Sequence, residues 1–230
     1  MANYDSADLL ARFNLHAGRP SSDASLTDAQ KYEYLSDAQH EVARMIAVHC
    51  PHAMMTAPTQ MSTSDSGLTY TFSGSVVPLA VEIYESATGR LLRPCAHFDA
   101  AGDYVWEGSK IRFPKGATRT FASGPYARYV TPPTVLSAAT APTLTPDYAR
   151  ILIVWKALEL WSLRGGFRDP TPFEKRFQKA AWGDPATPGD IGVIGALKTA
   201  NVFGGSAAYA GETVGDSFAT LNTVDGYATL

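Results

Sequence analysis

The sequence predicts an α+β fold in which a helical bundle is interrupted by a small antiparallel β-domain and followed by an extended C-terminal arm. Three changes of pattern along the 230 residues carry this reading. Apolar residues recur at helical spacing up to residue 50 and again from residue 136. Between them the spacing falls to two and turn residues multiply. After Gly204 no period survives. The expected parts are therefore bundle helices in 1–50, the β-domain in 51–135, returning bundle helices in 136–203 and the arm in 204–230.

Asp5 and Ser6 precede ADLLARF, with Asp8 in the first turn, which marks a short helix ending near Gly18. Thr27 and Gln30 form a capping box that opens a long helix. Its apolar stripe is Leu35, Ala38, Val42, Met45 and His49, widened by Tyr34 and Ile46. Lys31, Glu33, Asp37, Glu41 and Arg44 are expected on its polar side, and Pro51 ends it.

Strand character follows in Leu68 to Ser73, Val81 to Tyr84, Arg90 to Leu92 and Gly124 to Val130. Tyr104 to Trp106 and Ile111 to Phe113 flank Glu107-Gly108-Ser109-Lys110, a hairpin with glycine where a positive φ is wanted.

Leu136 to Thr145 reads as a Ser/Ala/Thr/Pro linker back to the helical layer. The stretch Pro146 to Gly165 then gives the plainest helix of the chain. Tyr148, Ile151, Leu152, Trp155 and Leu158 share one face, yet Ile153, Val154, Leu160, Trp161 and Leu163 lie on the others. A helix apolar nearly all round is covered nearly all round. About 20 uninterrupted apolar residues are needed to cross a bilayer, and Arg150, Lys156, Glu159 and Arg164 break this run. The expected cover is another subunit, on Ile153, Val154, Leu160, Trp161 and Leu163. Thr171-Pro172-Phe173-Glu174 and Thr187-Pro188-Gly189-Asp190 are two further start signals, the second opening a helix through Ala200 that Gly192 and Gly195 weaken by about 1 kcal/mol each relative to Ala.

Composition excludes several function classes. Only 18% of residues are charged and the net charge is -3, without a local Lys/Arg run, so the footprint of a nucleic-acid binder is missing. MANYDSADLLARF lacks the basic and apolar regions of a secretion signal, and none is expected. Cys50 and Cys95 are distant and outside any C-x-x-C pair, so two reduced thiols are expected. His40, His49, Cys50 and His52 do not converge on one helical face, and Asp99 and Asp103 lack the alternating ligands of a calcium loop; no metal or cofactor is expected. Ser123 lacks the context of a nucleophile, and no glycine-rich phosphate loop occurs. Glu82, Glu85 and Glu107 read as exposed strand carboxylates, and Tyr104, Trp106 and Tyr126 as cross-strand aromatics.

The order of elements resembles the head-to-tail adaptor (connector) proteins of tailed bacteriophages. The residues that carry the resemblance are YLSDAQHEVARMIA (Tyr34 to Ala47), YVWEGSKIRFP (Tyr104 to Pro114), and YARYVTPPTVL followed by LTPDYARILIVWKALELW. It covers roughly Ser6 to Ala200. It implies a non-enzymatic virion protein of the neck, arranged as a ring of about a dozen copies beneath the portal protein. Such a ring joins the capsid to the next neck or tail protein, with DNA only as passing cargo and no membrane contact. It also implies that the arm reaches the portal, with Val202, Phe203, Tyr209, Phe218 and Tyr227 as its apolar anchors. The β-domain is larger than in the simpler all-helical adaptors. Alternative expectations are a stopper or tail-terminator of the same neck, or a carbohydrate-binding or hydrolytic virion protein that uses the β-domain.

Overall fold

The computed structural model describes residues 4–18, 25–65, 68–95, 102–113, 124–144, 147–165 and 169–205. Among the described residues, five α-helices and two small antiparallel sheets make a mixed α+β fold. Helices α1 (Ser6–Ala17) and α2 (Asp28–His49) precede eight strands, and α3 (Ile151–Gly165), α4 (Thr171–Trp182) and α5 (Gly192–Gly205) follow them. Two separate apolar clusters result, one among the helices and one among the strands.

The helix starts follow from local chemistry. Asp5 accepts the Asp8 amide at 2.8 Å, and Gly18 closes α1 in the left-handed region at φ 63°. Thr27 and Gln30 satisfy each other's backbone in a full capping box at the head of α2. The buried stripe of α2 is Leu35, Ala38, Val42, Ala43 and Ile46, with the polar Lys31, Ser36 and Gln39 buried beside it. Two expectations change here. His49 is exposed, because the stripe drifts away from it by the last turn, and Lys31 lies inward with its ammonium on Asp28 at 2.8 Å.

The strands form two four-stranded sheets, with every pairing antiparallel. Strand β1 (Thr59–Gln60) sits at the edge of the order β1-β8-β4-β5, with β4 (Ala80–Tyr84), β5 (Leu91–Leu92) and β8 (Tyr126–Val130). The second order is β2-β3-β7-β6, from β2 (Ser62–Asp65), β3 (Thr69–Thr71), β6 (Val105–Glu107) and β7 (Lys110–Arg112). The chain passes from one sheet to the other at Met61, whose buried side chain joins the shared core. Tyr70 meets Phe113 edge to face, and Phe72 meets Tyr129 the same way, so aromatic edges fill much of that core. Gly108 takes φ 66° in the β6–β7 turn as the hairpin requires.

The return to the helical layer is built into the core. Leu136 and Leu144, expected in a linker, are buried in the helical cluster. Gln39 of α2 clasps this segment from both sides: its Nε2 donates to the Thr134 carbonyl at 2.8 Å, and its Oε1 accepts the Thr143 amide at 3.2 Å. The Ser36 hydroxyl accepts the Leu136 amide at 2.9 Å and donates to the Tyr32 carbonyl at 2.7 Å. A 3-10 turn (Asp147–Arg150) leads into α3, anchored by Arg150 Nε on the Leu144 carbonyl at 2.8 Å.

The last two helices start differently from expectation. Helix α4 begins at Thr171 itself, so Pro170 and not Thr171 is the N-cap; no side chain caps the helix, and Asp169, just before it, accepts the Thr171 amide at 3.0 Å. Thr187 does not open α5: Asp190 does, by accepting the Gly192 amide at 3.2 Å while also holding the Asp184 amide at 2.9 Å. Gly183 and Gly192 both have positive φ and cross so closely that a Cβ on either would collide with the other's strand of backbone. Gly192 is thus required at the entry to α5 instead of weakening its interior.

Replacing Gln39 by alanine removes both ends of the clasp and leaves the Thr134 carbonyl and the Thr143 amide without this partner. A loss of roughly 2–4 kcal/mol is expected in urea denaturation with the slope unchanged. A loss under about 0.5 kcal/mol would show that the apolar contacts of Leu136 and Leu144 alone fix the connector.

Candidate functional site

Helix α3 is the element on which the functional expectation rested, and its surroundings are now defined. It packs against α1, α2 and α4. Ile153 and Val154 are fully buried, and Leu160 and Trp161 nearly so, all inside the chain's own helical core. Phe13 of α1 meets Trp161 edge to face at 5.9 Å. The expected subunit contact at Ile153, Val154, Leu160 and Trp161 is therefore corrected. Three intramolecular helices cover those faces, and of the five residues only Leu163 is open, at 58% exposure.

Polar contacts complete the cover of α3. Lys156 bridges Glu41 of α2 at 3.1 Å and Glu159 at 2.9 Å, and its ammonium lies 5.4 Å from the Phe177 ring centre of α4. Burial works against its charge, and the hydrogen bonds to Glu159 and Glu41 outweigh it, so the ammonium is held above its ordinary pKa. Arg164 reaches Asp37 of α2 at the exposed end. These pairs orient α2 and α4 about α3.

The five expected anchors divide. Val202 and Phe203 fall within α5, which runs to Gly205 rather than ending at Ala200. Tyr209, Phe218 and Tyr227 lie outside the described residues. At the other end of α5, Trp182 and Ile191 are exposed beside the Gly183–Gly192 crossing, and the exposed His49 ring stands edge-on to Trp182 at 4.8 Å; Val48, next to His49 in sequence, is exposed as well.

Most of the residues weighed for chemistry have defined surroundings. Cys50 is buried with its thiol directed at the Ile194 carbonyl, and burial pushes its pKa up, opposite to what a nucleophile needs. Cys95, half-buried, is also a free thiol. Among the described residues no group of three or more His, Cys, Asp and Glu could hold a metal ion. Asp99 and Ser123 lie outside the described residues. Each strand carboxylate considered above has a cation: Glu82 meets Arg128 at 3.7 Å and His52 at 3.4 Å, Glu85 meets Arg90 at 2.9 Å, and Glu107 meets Lys110 at 3.6 Å. Tyr104 is buried, its phenol pKa raised by that burial, while the Trp106 indole donates to the Gly108 carbonyl at 2.6 Å. Tyr104 and Trp106 therefore do not share an exposed stacking face.

One grouping escaped the sequence entirely. Arg12 and His16 of α1, Trp155 of α3 and Arg176 of α4 meet on the outer face of the bundle. No local run of Lys or Arg announces it, because three helices each contribute a part.

No protein-family model matches this chain, and no curated protein matches it. Among the described residues no helix is long and apolar enough to cross a membrane.

The burial of α3 sets a direct contrast. Ile153→Ala should cost roughly 2–5 kcal/mol in the isolated protein, because it opens a cavity in a closed core. Leu163→Ala should stay within about 0.5 kcal/mol. Near-equal small losses in chemical denaturation would restore the idea that Ile153 waits for an outside partner.

Proposed function

We propose that the protein is a structural component of a tailed-phage neck: a ring-forming head-to-tail adaptor that docks beneath the portal protein and joins the capsid to the tail. The observation that supports this best is the order of elements. Two helices and three helices share one core around an inserted β-domain, and residues 206–230 extend the chain beyond α5. The low charge density and slightly acidic balance suit a channel that DNA traverses without being held.

The corrected burial of α3 relocates the proposed ring contact. Side-to-side packing in a ring is heterologous, so two different patches of each copy must meet. The apolar end formed by Trp182 and Ile191 is the proposed first patch. Exposed Leu163 and Leu15 lie on other parts of the bundle surface and are available to the second. In this reading α3 stiffens the subunit instead of touching its neighbour. The portal contact remains with the segment that begins in α5 at Val202 and Phe203 and continues through Tyr209, Phe218 and Tyr227 to the C-terminus. A segment that orders on its partner gains affinity from the new contacts and loses part of it to ordering. Assembly on a template is the natural result, with the free chain monomeric.

The test is assembly on portal-containing heads. The full chain should be a monomer by sedimentation and should form rings on heads. Removal of residues 206–230 should leave the protein folded and abolish head joining, and Ile191→Glu should do the same through the ring contact. Normal joining by the truncated chain would refute the arm's role. Copy number in images of the neck separates an adaptor ring from a stopper or terminator.

A further inference from the structure

The basic and aromatic cluster on the outer face of the bundle has no assigned partner. The Arg12 guanidinium lies 4.6 Å from the Tyr4 ring centre, and the Arg176 guanidinium lies 5.1 Å from that of Trp155. The His16 imidazole rests against the same Trp155 at 4.5 Å between ring centres. Leu15, beside His16, is among the most exposed apolar side chains of the described residues. Among the described residues no carboxylate lies within ion-pair distance of Arg12 or Arg176. Other cations are neutralised in place: Arg90 by Glu85 and Asp103, Lys156 by Glu41 and Glu159, and Lys179 by Asp184. Burial first, then Arg176 and Arg12, hold the His16 pKa below its ordinary value, so both guanidiniums act on the imidazole. From α1 it feels Arg12, from α3 it contacts the uncharged Trp155, and from α4 it feels Arg176. Positive groups on aromatic faces, with no counter-charge among the described residues, form a site for an anion carried on an aromatic or extended chain.

The complementary chemistry exists in this same sequence. Residues 206–230 carry Glu212, Asp216 and Asp225, no Lys or Arg, and the aromatics Tyr209, Phe218 and Tyr227. We propose that the cluster of Arg12, His16, Trp155 and Arg176 is a docking site for the acidic C-terminal segment, residues 206–230, of its own chain. Carboxylates would pair with the two guanidiniums and the imidazolium, and an aromatic ring of the segment would lie against Leu15 and Trp155. Reach does not limit this: a segment of that length, extended, spans on the order of 80 Å, well beyond the width of a small domain. Weakness decides for the same chain over a second one. Exposed ion pairs contribute little each, too little to hold separate chains together when dilute. A tether raises the effective concentration to the order of millimolar, where the same contacts suffice. The docking does not depend on the adaptor reading. Where both hold, the segment is parked on its own bundle until a partner takes it.

Proton NMR of the histidine rings in the full chain tests this, with His16 assigned through His16→Gln. Docked carboxylates favour the imidazolium, so neutralising them by Glu212→Gln, Asp216→Asn and Asp225→Asn together should lower the His16 midpoint, with proton affinity falling about three-fold or more. The difference should vanish near 1 M salt, where the screening length is about 3 Å. It should not change on dilution. Equal midpoints in the two proteins would overturn the proposal. A difference that fades on dilution would overturn it in favour of a second copy's segment. A single-stranded oligonucleotide that raises the midpoint equally in both proteins, with no difference between them beforehand, would assign the cluster to nucleic acid.

Discussion

Everything in the helical layer depends on enclosing α3. Eight of its fifteen residues, Leu152, Ile153, Val154, Ala157, Leu158, Leu160, Trp161 and Ser162, are buried. Those side chains point around most of the helix circumference, so no two-helix arrangement could cover them. The chain meets this demand with α1, α2 and α4. Two of these helices precede the β-domain and the other follows α3, so the insert must leave and rejoin the bundle without breaking into its core. Leu136 and Leu144 enter that core on the way back, while Gln39 and Ser36 fix the backbone between them. A connector held this way behaves as part of the bundle rather than as a hinge.

The polar groups inside the bundle serve placement. Gln39 is fully buried, and an amide with no partner there would be costly. With both ends bonded it selects one path for residues 134–143 over others that would bury the same apolar area. Lys156 acts similarly between α2 and α3. Its ammonium faces Glu41 and Glu159 together, and sliding α2 by a turn along α3 would leave it with one carboxylate fewer. Apolar burial supplies the gross stabilisation, and these contacts choose among packings that burial alone would treat alike.

Much of the fold was legible because its signals are local. A capping box, a hairpin glycine and a proline stop each act within a few residues, and Thr27 with Gln30, Gly108 and Pro51 behave as expected. What failed was non-local. An apolar residue on a second face of α3 looks the same whether another helix of the chain or another subunit covers it, and hydrophobic pattern carries no information on which. Strands β1 and β2, TQ and STSD, are too polar to declare themselves and exist because β8 and β3 present open edges to them. Asp190 outcompetes Thr187 as the start of α5 because the Gly183–Gly192 crossing brings the Asp184 amide within its reach, a pairing invisible along the chain.

The same distinction governs the functional surface. Along the chain no run of Lys and Arg marks a basic patch. Folding makes one anyway, because α1 and α4 flank α3 and bring Arg12 and Arg176 to His16 and Trp155. Net charge constrains solubility and long-range steering, but the local field depends on which side chains the topology gathers. An acidic protein can thus hold a positive site whose counter-charge lies elsewhere in its own sequence. With most of α3 enclosed, the apolar end around Trp182 and the basic face around Trp155 belong to the outer surface of the bundle. The first lies at the C-terminal residue of α4 and the second beside Arg176 in its middle, so one helix presents two chemically unlike surfaces. Unlike surfaces on one rigid subunit are what a heterologous contact requires, and a self-complementary dimer would have no use for the difference.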